Sequence, residues 1–218
     1  MDIDSVMGIL QRETRQFEMP MAVKTGQEGR EATRAFRILI STVLSSRTKD
    51  TVTRNASKKL FKLAQTPEEM LKVPIEKIED AIQKVGFWKT KAPRLHALCR
   101  MLIEEFDSKV PQTQTDLMKL PGVGRKTANL VLGVAFGIPA ICVDTHVHRI
   151  CNRLGYINTK KPEQTEKALR EKLPEKYWIS INEYLVRWGQ NICFPISPLC
   201  SKCAIKEFCE RVNVTKSR

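Results

Sequence analysis

Apolar residues recur at helical spacing along most of this chain. Val6, Met7 and Leu10 lie on one side of residues 3–18, which read as an opening helix. Residues 19–29, with Pro20, Gly26 and Gly29, read as a loop and a domain crossing. Phe36, Leu39, Ile40, Val43 and Leu44 then follow the i, i+3, i+4, i+7, i+8 pattern of a core-facing helix, which ends in the polar break Ser45 to Asp50. Val52, Ala56, Leu60 and Leu63 mark the next helix. Thr66-Pro67-Glu68-Glu69 is a helix start, with a Thr cap, proline at the first position and Glu three residues on. Ile75, Ile78 and Ile82 give another short helix. Gly86 to Lys91 reads as a turn bearing two aromatics and two lysines. Leu95, Leu98, Leu102 and Phe106 continue in helical register, with Pro93 in the first turn if Thr90 is the cap. No segment alternates as a strand does, so the chain reads as all-α.

Two further helices meet at a glycine-rich corner. Thr113 to Leu120 is a short helix, with Thr113 as cap and Asp116 as capping acid. Thr127 to Phe136 is apolar almost all round, hence buried. Between them lies Pro121-Gly122-Val123-Gly124-Arg125-Lys126. The glycines allow backbone angles other residues resist and let the main chain approach a ligand. N–H groups at the start of the second helix, with its dipole, favour an anion such as phosphate. Lys126 sits in that first turn beside Arg125, where dipole and neighbour both favour the neutral amine. A neutral, directed amine is a nucleophile; the plainer alternative is one more phosphate contact.

Charge narrows the partner. With 37 basic and 24 acidic residues the net charge is +13, which points to a polyanion, most simply nucleic acid. The run Leu130 to Val143 is broken by Gly133, Gly137 and Pro139 and is too short to span a bilayer. The opening Met1-Asp2-Ile3-Asp4 is unlike a secretion signal. An intracellular, cytoplasmic protein with no membrane partner is the expectation.

The last third changes character. Pro162–Leu173 and Glu175–Gly189 are amphipathic. Then four of the seven cysteines follow as Cys193-x6-Cys200-x2-Cys203-x5-Cys209. Such clustering in a basic intracellular chain suits a metal better than disulfides. On spacing alone zinc and an iron–sulfur cluster both remain open. Cys99, Cys142 and Cys151 sit among apolar residues and read as core.

Leu120 to Ala128, Val143-Asp144-Thr145-His146, Leu44 to Asp50 and the cysteine spacing together resemble the endonuclease III family of DNA glycosylases over nearly the whole chain. The resemblance implies a helix–hairpin–helix DNA glycosylase fold. A six-helix domain would span 28–138. A domain bearing a [4Fe-4S] cluster would be built from 1–27 and 139–218, with Cys193, Cys200, Cys203 and Cys209 as ligands and a DNA cleft between the domains. It implies a monomeric base-excision-repair enzyme acting on damaged double-stranded DNA. Lys126 would be the nucleophile, and Asp144 the essential acid as well as an N-cap. Arg47 would fill the gap left by a flipped nucleotide, where the commonest bacterial pattern has glutamine, and Phe87 would be the apolar wedge. Gly122, Val123, Gly124 and Arg125 would hold the backbone, and Ser45, Thr145 and His146 would line the base pocket. For His148 a surface or helix-facing role and a ligand role are both open. The expected reaction removes oxidised pyrimidines through a Schiff base and nicks the strand by β-elimination. The alternatives are a monofunctional mismatch or adenine glycosylase, whose relatives lack a lysine at position 126, and a non-catalytic metal-stabilised DNA-binding module.

Overall fold

A computed structural model describes residues 1–27 and 33–218. Among the described residues there is no strand. The helices are α1 (Ile3–Glu13), α2 (Met21–Gln27), α3 (Arg34–Ser45), α4 (Asp50–Leu63), α5 (Pro67–Lys72), α6 (Ile75–Ile82), α7 (Trp88–Phe106), α8 (Gln114–Lys119), α9 (Arg125–Phe136), α10 (Thr145–Arg153), α11 (Pro162–Lys172) and α12 (Ser180–Asn191). None is long and apolar enough to cross a membrane.

The chain divides into two compact units: Met1–Pro20 with Pro139–Arg218, and Met21–Ile138. The expected boundary at residue 28, and the end of the expected 19–29 loop, fall outside the described residues. Within the described part, the loop reading needs correction: Met21–Gln27 is helical and packs on α3, α4 and α9. Pro20 and the glycines obscure it in the sequence, yet Met21, Ala22 and Thr25 are buried on one face.

In the unit Met21–Ile138, α3 is the central element. Phe36, Ile38, Leu39, Ile40, Val43 and Leu44 are all buried, and α2, α4 and α9 pack around them. The predicted helix start at Thr66 forms: its side chain accepts the Glu69 N–H at 3.2 Å. Helix α7 departs from expectation. It begins at Trp88, with Phe87 as its N-cap, so Thr90 caps nothing and Pro93 lies in the second turn. Lys91, which the sequence places in an open turn, is only 4% exposed.

In the other unit, α1, α10, α11 and α12 enclose a core of Val6, Met7, Leu10, Val147, Ile150, Leu169, Leu185 and the fully buried Trp188. A polar chain ties α10 to α11. His148 Nδ1 lies 2.7 Å from the Thr165 hydroxyl, which lies 2.6 Å from that of Thr159. His148 thus faces a helix. Gly189 lets α10 and α12 approach closely, because an added Cβ would overlap the His146 ring. Gly189→Ala should therefore cost about 1–3 kcal/mol in urea unfolding through overpacking; an unchanged midpoint would contradict that contact.

Candidate functional site

The hairpin forms as its residues dictate. Thr113 caps α8, accepting the Asp116 N–H at 3.1 Å. The chain turns through Gly122, whose φ of +85° is left-handed and favours glycine; a Cβ there would also press on the Arg94 side chain. Gly124, the N-cap of α9, has ordinary extended angles, and its Cβ position meets no protein atom within 4 Å. Its glycine therefore answers no backbone requirement, but keeps the surface before the helix N-terminus open for a close approach. The first N–H groups of α9 have no partner within the helix and lie beside this opening.

Lys126 is the second residue of α9 and is exposed. Among the described residues no hydrogen bond or ion pair restrains its amine. Arg125 donates to Gln114 Oε1 at 3.3 Å, and Gln114 in turn bonds the buried Asn129. Sequence reasoning misses this bracing of α8 against α9, although a lone Asn inside an apolar helix is a signal for it.

Arg47 and Phe87 come together within this unit. The Arg47 guanidinium lies over the Phe87 ring, 5.3 Å from its centroid. Both residues adopt left-handed backbone, with φ of 53° and 59°. Such angles are costly for non-glycine residues, on the order of 1–3 kcal/mol each, and persist only where surroundings enforce them. Phe87 is nonetheless 61% exposed. An exposed aromatic held at a strained corner under a cation is a presented side chain, not a misplaced core residue.

In the other unit, Asp144 caps α10. One carboxylate oxygen, Oδ1, accepts the N–H groups of His146 at 2.8 Å and Val147 at 2.9 Å. That fixes the carboxylate at the positive end of the helix. Thr145 beside it is exposed. The His146 ring packs at Gly189 of α12, and its Nδ1 lies 3.1 Å from an Arg149 nitrogen. Ser45, in the unit Met21–Ile138, donates its hydroxyl to the Thr42 carbonyl at 2.8 Å.

Cys193, Cys200, Cys203 and Cys209 line one largely apolar cavity together with Ile192, Pro198 and Leu199. Burial pushes the Cys203 and Cys209 thiols up, so their thiolates need a compensating cation. The buried Trp188 indole N–H has no conventional partner and lies beside the Cys203 sulfur, where a ligated thiolate would accept from it. Arg149 donates to the Cys193 carbonyl at 2.8 Å, and Arg153 to that of Phe194 at 2.6 Å, fixing the start of the loop. Among the described residues no three His, Cys, Asp or Glu side chains converge as they would on one ion. Four thiols around one cavity are soft donors of the kind that hold zinc or an iron–sulfur group. The remaining thiols are inert core: burial pushes those of Cys99 and Cys151 up to about 12.

A hairpin with an exposed lysine, a carboxylate at a helix start and a four-thiol loop define a recognisable class. The chain belongs to the HhH-GPD superfamily of base excision DNA repair proteins, whose pattern matches residues 40–175. Within that class its relatives include endonucleases III. That of Thermotoga maritima is 50% identical over 188 residues, covering 86% of this chain and 88% of its own length. A non-covalent endonuclease III–DNA complex superposes with a TM-score of 0.84 at 33% identity, covering 96% of this chain and 94% of that one. A trapped endonuclease III–DNA covalent intermediate does so with a TM-score of 0.76 at 39% identity, covering 81% and 84%.

Proposed function

We propose that this protein excises oxidised pyrimidines from duplex DNA and then nicks the strand, with Lys126 as the nucleophile of both steps. The damaged nucleotide leaves the stack, at a cost of a few kcal/mol that weak stacking of the lesion reduces. The Lys126 amine attacks C1′ of the deoxyribose. The glycosidic bond breaks and its electron pair leaves with the base; the amine then gives up protons as the C1′–O4′ bond opens, its electron pair going to O4′, which is protonated, and the imine forms. Loss of a proton from C2′ of that Schiff base expels the 3′ phosphate by β-elimination. Asp144 supplies a carboxylate whose negative charge stabilises the cation developing on the sugar. Arg47 and Phe87 occupy the vacated stack, an apolar wedge being a general device at unstacked steps. The N–H groups of Gly122 and Gly124, with Arg125, hold a backbone phosphate, while that of Val123 is already given to the Leu120 carbonyl at 3.0 Å and only shapes the turn. Ser45, Thr145 and His146 contribute to base recognition.

The observation that carries this reading is the amine of Lys126: exposed, unrestrained, and two residues into the helix that follows Gly-Val-Gly. Its counterpart class includes an endonuclease III trapped covalently on DNA. The test is borohydride treatment with a duplex oligonucleotide carrying an oxidised pyrimidine. Base release with a covalent adduct is expected. Release without an adduct would make the enzyme monofunctional, and binding without release would make it a non-catalytic module.

The four cysteines fit a [4Fe-4S] cluster, which when bound ties the C-terminal loop together and offers no open position to substrate. Purified protein should be brown and hold about four iron atoms per chain, and Cys203→Ser should lose both colour and thermal stability. One equivalent of zinc and no iron would contradict the assignment.

A further inference from the structure

Lys91 is a buried cation that the mechanism above leaves unused. It lies near the start of α7, far in sequence from the end of α3. Its ammonium donates to the Leu44 carbonyl at 2.8 Å and the Ser46 carbonyl at 2.7 Å, and approaches the Thr48 hydroxyl at 3.5 Å. The first two acceptors belong to the C-terminus of α3, where carbonyls lack helical partners and a cation is favoured by the dipole. Three acceptors match the three N–H bonds of a charged lysine. Burial, and after it the nearby Arg94, push this group down to about 8, so the charge is held here against an electrostatic cost.

The grip reaches both strained corners. Arg47 lies between Ser46 and Thr48, whose carbonyl and hydroxyl Lys91 holds. The Thr48 hydroxyl also accepts the Gly86 N–H at 3.0 Å, immediately before Phe87. Gly86 approaches so closely that a Cβ would sit 2.6 Å from the Arg47 carbonyl oxygen. A cation buried on a stem a turn beyond Phe87 thus pins the other loop, and Thr48 returns the link.

We propose that Lys91 is a positioning residue that locks the Arg47 and Phe87 corners into one presented pair, and so governs how the protein opens duplex DNA. This rests on the assignment of Arg47 and Phe87 to the vacated stack. Single-stranded DNA has no opposite strand to separate from, so the lock matters there less. The test compares two substrates under single-turnover conditions: a duplex carrying an oxidised pyrimidine, and a single strand carrying an abasic site. Lys91→Met, close in length but without the donors, should lower the ratio of duplex excision to single-strand nicking at least tenfold. Thr48→Val, which keeps the shape and loses the hydroxyl shared by Gly86, Lys91 and the Ser46 carbonyl, should lower it about threefold, and decides the matter if Lys91→Met does not fold. A ratio equal to that of wild type in the folded variant overturns the inference, because a merely structural loss lowers both rates together. Wild-type protein inactive on both substrates would instead refute the underlying functional reading.

Discussion

Replacing Lys126 by alanine is expected to abolish the borohydride adduct and strand nicking, and to slow base release on the order of 10³-fold or more, since only binding and electrostatics would remain. The physical reason is the position of the amine. It is exposed at the second residue of α9, and among the described residues nothing else claims it. Removing it takes no contact from the fold, so stability should stay within about 0.5 kcal/mol of wild type. Affinity for lesion DNA should fall only modestly, because the backbone N–H groups of the hairpin survive. Persistence of the adduct in this variant would move the nucleophile elsewhere.

The second large effect is expected at Asp144. Both of its structural bonds run to one oxygen, Oδ1, from the His146 and Val147 N–H groups. Asparagine retains that oxygen and is an equally good N-cap. Asp144→Asn should therefore leave unfolding midpoints nearly unchanged while slowing base release by about 10²–10³, the usual cost of losing a charge aimed at a transition state. Asp144→Ala should lose the cap as well, at about 1 kcal/mol of stability. If alanine alone destabilises and neither variant alters the rate, Asp144 is a cap and nothing more. Parallel loss of DNA affinity and rate in the asparagine variant would also contradict the assigned role.

Local signals are readable where one element contains them. The Thr66 and Thr113 caps, the buried face of α3, the isoleucines of α6 and the four-cysteine loop all depend on neighbours within a few residues. Helix α2 is hidden because Pro20 and Gly26 punctuate it, and tertiary burial of Met21 and Ala22 overrides that punctuation. The start of α7 is misplaced by the sequence because its cap is a left-handed phenylalanine, an angle no propensity predicts. Lys91 is invisible for a related reason: its acceptors lie 45 and 47 residues away in the chain, and lysine ordinarily signals solvent. The contact that makes room for the His146 ring is hidden too, because Gly189 lies far along the chain. The site is thus legible as chemistry, while its supports arise from contacts distant in sequence.

The most direct measurement is the identity of the residue that carries the DNA. Wild-type protein trapped by borohydride on a lesion-bearing duplex is digested with protease and nuclease, and the modified peptide is mapped by mass. The account predicts a single reduced sugar remnant, on the side-chain amine of Lys126. A remnant on the chain's terminal amine, or on any other lysine, would contradict it.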